Sequence, residues 1–296
     1  MSQTVSSASP QQSLAMAALL MGGVAIAGSP IFVRLSEVGP MATAFWRVAL
    51  ALIPLLAWSW LAKDTGADRR PERLSDYALL VLPGVFLAID LGAWHLSLTM
   101  TSVANATLLA NLAPVFVTLA SWALFRSPVS RIFLAGLVTA VAGVVVLKGG
   151  PGALGGGDLI GDGIAIVAAM FYAGYILAVG QLRSRFGTNR IMIWSTASAA
   201  VCTLPMAVLA EPALLPPTGF GWAILFGLAF VSHAGGQVAI TYALAFLAPA
   251  FSSLTLLVQP VVAAVLAWVL LSEPVGVMQA TGGAIVLIGI LIARRG

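Results

Sequence analysis

Residues 104–143 read ANATLLANLAPVFVTLASWALFRSPVSRIFLAGLVTAVAG, and residues 250–289 read AFSSLTLLVQPVVAAVLAWVLLSEPVGVMQATGGAIVLIG. The two stretches align without a gap at an offset of 146. The alignment pairs Ala104 with Ala250, Leu108 with Leu254, Pro114 with Pro260, Val115 with Val261, Trp122 with Trp268, Leu124 with Leu270, Pro128 with Pro274, Val129 with Val275, Gly136 with Gly282 and Gly143 with Gly289. Both copies are almost wholly apolar. A hydrocarbon core about 30 Å thick takes about 20 apolar residues per helix. The duplicated unit is therefore a set of membrane helices, and duplicated membrane halves are the usual build of secondary transporters.

Composition extends that reading to the whole chain. Of 296 residues 60% are hydrophobic and only 8% charged, where a soluble domain carries roughly 25% charged residues. So few charges cannot cover a water-facing surface, which assigns the chain to the membrane class. The net charge of +4 then bears on orientation in the lipid bilayer, and no nucleic-acid partner is expected. One cysteine, Cys202, rules out an intramolecular disulfide and a cysteine metal site; it reads as a small buried core residue. Residues 1–12 are polar and uncharged and read as a disordered tail. Ala25-Ile26-Ala27 resembles a signal-peptidase site, but no Lys or Arg precedes the apolar run, so an uncleaved first membrane helix is expected.

Runs of spanning length recur at 13–34, 40–62, 77–98, 102–125, 130–148, 160–183, 189–210, 219–244, 248–271 and 276–293, ten in all. Gly39-Pro40, Ser127-Pro128, the glycine-rich stretch from Gly149 to Gly157, Pro216-Pro217 and Glu273-Pro274 punctuate them. Basic residues test the count, because Lys and Arg in short loops mark the cytoplasmic side. Lys63, Arg69, Arg70, Arg73, Arg126, Arg131, Arg183, Arg185, Arg190, Arg294 and Arg295 fall after even-numbered spans, and only Arg34 and Lys148 after odd ones. Both termini are thus expected in the cytoplasm. The expected organisation is a first half over 13–148 with five helices, a glycine-rich linker over 149–159, and a second half over 160–293 with five more. Five is odd, so the second copy enters the membrane from the opposite side. The fold class is an all-α membrane protein of ten transmembrane helices, two five-helix inverted repeats around a central cavity.

The pattern Ala104-x3-Leu108-x5-Pro114, repeated as Ala250, Leu254 and Pro260, with the Gly-x6-Gly ladders Gly136/Gly143 and Gly282/Gly289, resembles the EamA type of the drug/metabolite transporter superfamily. The resemblance covers about residues 12–293. Within the superfamily it is most similar to the bacterial inner-membrane exporters of aromatic and neutral amino acids, the YddG type. The resemblance implies a basket-like bundle whose cavity is lined mainly by the first, third, fourth, sixth, eighth and ninth helices, with the second, fifth, seventh and tenth as outer support.

Polar groups at mid-membrane are costly, several kcal/mol each when unsatisfied, so the few present are candidates for substrate binding. Pro114 and Pro260 free a carbonyl one turn back, at Ala110 and Leu256, beside Asn111 and Gln259, with Asn105 earlier on the same helix as Asn111. These amides either bind substrate or repair the interrupted helix. Gly28-Ser29-Pro30 offers either an exposed backbone or a simple kink. Together Pro30, Pro114 and Pro260 are the expected helix-break and gating positions. Asp90, His95, His233 and Arg47 are the ionisable residues inside spans, a functional signal by default. An ion pair between Arg47 and Asp90 would satisfy both; alternatively Asp90 faces the cavity and binds an ammonium or a proton. His95 can titrate near neutrality, and Gln237 shares a face with His233 across Gly235-Gly236. Trp94, Tyr172 and Tyr175 supply aromatic surface, the last two where the resemblance puts the cavity.

A cavity of aromatic faces and a few hydrogen-bonding groups suits a zwitterion with a bulky side chain. Phosphorylated substrates would need several cations, and only Arg47 is available. With no P-loop, H-E-x-x-H or nucleophile elbow, no enzyme, cofactor or metal site is expected. The functional expectation is an inner-membrane carrier exporting small neutral or zwitterionic solutes, foremost aromatic and other neutral amino acids, by alternating access. A broader metabolite or drug exporter and a channel-like facilitator are the alternatives. The sequence leaves the oligomeric state open, with a monomer the simplest form.

Overall fold

The computed structural model describes residues 10–61, 70–101, 103–149, 158–271 and 276–296, and every regular element among them is helical. In chain order the apolar helices are α1 (Pro10–Leu35), α2 (Pro40–Leu61), α3 (Leu74–Met100), α4 (Ala106–Phe125), α5 (Arg131–Leu147), α6 (Leu159–Leu182), α7 (Thr188–Ala210), α8 (Gly219–Ala243), α9 (Pro249–Leu270) and α10 (Val277–Ala293). Among the described residues, eight of these are long and apolar enough to cross a membrane. The other two, α5 and α10, have 17 residues each, roughly 26 Å at 1.5 Å per residue, the short end of what spans. They are equivalent members of the two sequence repeats.

Short polar residues start the helices where amides would otherwise go unpaired. Ser130 Oγ accepts from the Phe133 amide at 3.0 Å, Asp158 Oδ1 from Ile160 at 3.0 Å, and Thr218 Oγ1 from Gly221 at 3.1 Å. Pro40 begins α2, and Pro249 begins α9, where its missing N–H costs nothing. Helix α1 starts at Pro10, so residues 10–12 of the expected tail are helical, while 1–9 lie outside the described residues. The linker at 150–157 and the turn at Glu273-Pro274 also lie outside them.

The packing repeats itself when each helix is exchanged for the one five places away. Helix α3 packs on α6 and α8 on α1; α3 packs on α7 and α8 on α2; α4 packs on α6 and α9 on α1. Three contacts are their own counterparts, α2 with α7, α4 with α9, and α5 with α10, the last the most extensive of all. Its register follows the duplicated glycines. A Cβ on Gly136 would meet Ala293 and Gly289, and one on Gly143 would meet Val286 and Gly282; one on Gly282 would meet Leu147, and one on Gly289 would meet Ala140. Shifting the first-half residue of each of the first pairs up by 146 and its second-half partner down by 146 yields the second: Gly136–Ala293 becomes Gly282–Leu147, and Gly143–Val286 becomes Gly289–Ala140. The four glycines let backbones approach, the way membrane helices gain contact without a hydrophobic driving force between them.

The same duplication governs the outer face. Trp122 and Trp268 are 63% and 55% exposed, and Leu124 and Leu270 point outward beside them. On a soluble protein such patches would be sticky; in a bilayer they are where acyl chains pack. Apart from the buried Leu108/Leu254 and the prolines Pro114/Pro260 at the helix breaks, sequence identity between the halves is most evident on two surfaces, the α5–α10 contact and the lipid-facing side of α4 and α9.

Candidate functional site

Three helices are interrupted near their middles. Helix α1 breaks at Gly28, with Pro30 in the first turn of its second piece, Ser29–Leu35. The run that begins at Val103 stops at Ala110 and restarts at Ala113, one residue before Pro114. In α9 the break falls at Leu256 and Leu257, ahead of Pro260. The prolines do interrupt the ladder, but the carbonyl expected to be freed at Leu256 is taken up again, accepting from the Gln259 amide at 2.9 Å. A tighter i→i+3 turn replaces the lost bond. Asn111 Nδ2 donates to the Thr107 carbonyl at 2.7 Å, folding back on its own helix onto an oxygen that already accepts from the Asn111 amide at 3.1 Å and so not repairing the break at Ala110, whereas Gln259 Nε2 is buried without a partner. Asn111, Pro114, Tyr172, Ser253, Leu256 and Gln259 line a cavity of about 30 Å³, room for one or two waters.

A fourth irregularity had no sequence signature beyond its glycines. In α8 the stretch Leu228–Gln237 is a π-helix, a geometry met mostly at functional sites. It carries Ser232, His233 and Gln237, all at most 2% exposed. Ser232 Oγ donates to the Ala25 carbonyl of α1 at 2.9 Å, and a Cβ on Gly236 would press on Ile26, so α1 and the π-turn are closely joined. His233 Nε2 lies 3.0 Å from Thr196 Oγ1 of α7, leaving Nδ1 buried and unpartnered.

Arg47 gathers these elements. Among the described residues it is the one Lys or Arg more than a turn inside a helix. It interacts electrostatically with Asp90 on α3 and with Tyr172 and Tyr175 on α6, and its charge acts on His95 of α3 and His233 of α8. Asp90 is its counterpart, the one described carboxylate deeper than a first helical turn, since Asp76 and Asp162 both lie in one. Helix α2 was expected to serve as outer support, yet it packs on both α7 and α8 and sends Arg47 inward.

His95 is 2% exposed and Nδ1 donates to the Leu91 carbonyl at 2.7 Å; a carbonyl only accepts, so Nδ1 carries a proton, and Nε2 is left buried without a partner. The Trp94 ring stands edge-on to His95 with centroids 4.9 Å apart. Tyr172 and Tyr175 are near-parallel, 6.0 Å apart. The Gln237 amide faces the Tyr172 hydroxyl, while the Tyr175 hydroxyl, beside Thr241, has no hydrogen-bond partner. The structure thus draws Arg47, Asp90, His95, Tyr172, Tyr175, His233 and Gln237 into one constellation. Trp94 borders it, and Tyr172 links it to the small cavity at Asn111 and Gln259. Asn105 lies on the helical run from Val103, its side chain outside the described residues.

Sequence inspection missed Thr196 and Thr241, and residue type could not have found them. Most hydroxyls here bond their own helix, as Thr118 does to Pro114 and Thr203 to Ala199. It also missed a latch at one end of the bundle. Thr218, at the start of α8, donates from Oγ1 to Glu37 Oε1 at 2.6 Å and from its amide to Oε2 at 3.2 Å. Glu211, at the end of α7, accepts from the Met41 amide of α2 at 3.1 Å, and Trp46 Nε1 donates to Leu214 O at 2.7 Å. Two glycines make the room: a Cβ on Gly39 would overlap the Glu211 carboxylate, and one on Gly221 that of Glu37. Each carboxylate sits at the positive end of a helix in the other half.

Comparison with known proteins agrees with this architecture. The EamA-like transporter family matches residues 13–148 and again 159–295. An uncharacterized transporter of Archaeoglobus fulgidus is 28% identical over 277 residues, covering 90% of this chain and 92% of its own. The pseudopaline exporter CntI of Pseudomonas aeruginosa is 24% identical over 218 residues, 73% of this chain and 75% of its own. A "probable terminal-alkyne amino-acid exporter" of Streptantibioticus cattleyicolor is 27% identical over 236 residues, 77% and 76%. A crystal structure with a TM-score of 0.78, 19% identical and covering 97% of this chain and 98% of its own, shares the fold.

Proposed function

The chain belongs to the EamA-like transporter family, and from that premise we propose that it is an inner-membrane secondary transporter exporting small neutral or zwitterionic solutes, foremost aromatic and other neutral amino acids, by alternating access. The observation that carries this reading is the polar constellation assembled from both halves. Arg47, Asp90 and His95 come from the first, and Tyr172, Tyr175, His233 and Gln237 from the second. Groups so costly to bury without partners stand where two halves meet, so motion between halves would expose them to one side or the other. A single interior cation disfavours phosphorylated cargo, and likeness to a protein named as an amino-acid exporter supports the amino-acid class.

In this reading all ten helices cross the membrane as two inverted five-helix repeats with both termini in the cytoplasm. The exchange symmetry of the packing and the bias of basic residues to one set of loops support it. The latch of Glu37 and Glu211 then lies on the non-cytoplasmic side, holding that side shut. The broken helices at Pro30, Pro114 and Pro260 act as hinges, and Trp94, Asn111 and Gln259 join the constellation in lining the path. With about 30 Å³ at Asn111 and Gln259, a solute enters only after the halves part toward the cytoplasm. Likeness to a pseudopaline exporter favours a second reading, a broader metabolite exporter.

Counterflow in proteoliposomes tests the proposal, with unlabelled phenylalanine inside and trace labelled amino acids outside. Transient accumulation of phenylalanine and other neutral amino acids, with glutamate and lysine excluded, is expected. Folded protein that accumulates none of them sinks the amino-acid reading, and flux without counterflow replaces the carrier by a channel.

A further inference from the structure

Unsatisfied groups of a definite chemical kind surround Arg47 and Asp90, which form no direct salt bridge and act on each other only through space. Arg47 Nε, His95 Nε2, Tyr175 Oη, His233 Nδ1 and Gln237 Oε1 are all buried without hydrogen-bond partners. His95, Tyr175, His233 and Gln237 are each at least 98% buried. Native interiors seldom leave so many polar atoms unpaired in one place, and each costs its full desolvation. A ligand that supplied acceptors to the guanidinium and hydroxyl, and donors to the imidazole and amide, would satisfy them together.

Charge narrows what the ligand can be. The constellation holds one permanent cation and one carboxylate, and His95 is anchored by its Nδ1–H on the Leu91 carbonyl. A cargo with net charge would leave an excess charge in a low-dielectric interior, which is expensive. A dipolar cargo would not, since each end meets its opposite. We propose that Arg47 and Asp90 form a split receptor for the α-carboxylate and α-ammonium of a zwitterionic amino acid. Arg47 takes the carboxylate, aided by the Tyr175 hydroxyl, and Asp90 takes the ammonium, aided by the Gln237 oxygen and a free imidazole nitrogen. Without cargo, the two residues compensate each other through space. Tyr172, shared with the cavity at Asn111 and Gln259, directs the cargo's side chain that way. The selection acts on the cargo's charges, with its side chain secondary. This assignment rests on the amino-acid carrier reading above.

The test compares four small molecules as competitors of labelled phenylalanine counterflow: phenylalanine, phenethylamine lacking the carboxylate, 3-phenylpropionate lacking the ammonium, and phenylalaninamide. Wild type is expected to bind phenylalanine at least roughly tenfold better than the other three, as loss of one charge-assisted partner implies. Asp90→Asn should weaken phenylalanine by about tenfold or more and leave 3-phenylpropionate unchanged or improved. Arg47→Gln should do the converse for phenethylamine. Where a single variant does not fold, the wild-type panel decides, and the neutral double variant Arg47→Gln/Asp90→Asn supplies a folded control that has lost the preference. Equal competition by all four compounds, or single variants that keep wild-type affinity and order, overturns the assignment while leaving the carrier intact. Absence of counterflow for any amino acid by folded wild type overturns the carrier reading and this assignment together.

Discussion

The α5–α10 contact yields a prediction whose size can be worked out from the coordinates. A methyl placed on Gly143 would stand 2.5 Å from the Val286 amide nitrogen and 2.9 Å from its Cγ2. On Gly289 it would stand 2.7 Å from Ala140 Cα. Comfortable contact needs close to 3.5 Å, so Gly143→Ala or Gly289→Ala forces the backbones apart by about 1 Å, enough to forfeit a quarter to a half of each dispersion contact along the seam. Such overpacking costs about 1–3 kcal/mol, offset by up to about 1 kcal/mol because Ala is the better helix former. The expected net loss is about 1–2 kcal/mol, a fall of several degrees in Tm. Gly163→Ala, where a Cβ meets nothing within 4 Å, isolates the propensity gain and should be neutral or slightly stabilising. Thermal unfolding of purified protein in one detergent measures all three. Because Gly143 and Gly289 are repeat equivalents, their losses should agree within about 0.5 kcal/mol. The double variant should cost less than the sum, since the first separation makes room for the second methyl. Losses no larger than that of Gly163→Ala would refute the close seam, and clearly unequal losses would refute the symmetry.

Removing the charge of Glu37 by Glu37→Gln, or of Glu211 by Glu211→Gln, should cost about 0.5–1 kcal/mol each and make a cysteine placed at Ser36 in a Cys202→Ala background react faster with an impermeant thiol reagent; unchanged labelling in both would refute the latch. Thr196→Val strips His233 Nε2 of its partner and should raise the half-saturation for cargo while costing about 1 kcal/mol, whereas Thr203→Val, whose hydroxyl bonds its own helix, should leave transport unchanged. Gln259→Leu removes a buried, unpartnered amide nitrogen and should leave stability unchanged or raise it by up to about 1 kcal/mol while transport falls; a destabilised variant with normal counterflow would show that Gln259 is structural.

What could be read from the sequence, and what could not, divides along one physical line. Hydropathy and the 146-residue repeat carried the helices and their boundaries to within a few residues, because lipid imposes length and apolarity on every span. The glycine ladders stood out as a motif, but that they pack against each other in an α5–α10 seam came only from the structure. The ionisable candidates were visible by rarity alone, since a charge in an apolar run is costly wherever it points. Hidden from the sequence were the relations between helices: that Arg47, on a helix expected to be outer, turns inward; that α8 widens into a π-turn to present His233 and Gln237; and that Thr196, among many hydroxyls satisfied by their own helix, is the one that bonds across to His233. The identities shared by the halves point the same way. They cluster at the seam and on the outer face, at Gly136, Gly143, Trp122 and their partners, and are missing at the constellation, where the positions equivalent to Arg47, Asp90, His95 and His233 are Ile193, Gly236, Thr241 and Leu87. Duplication supplied a scaffold whose packing repeats between its halves. On the proposed reading, binding one asymmetric cargo at the centre of that scaffold requires the central residues to differ between halves, so the repeat that reveals the fold is silent about the site.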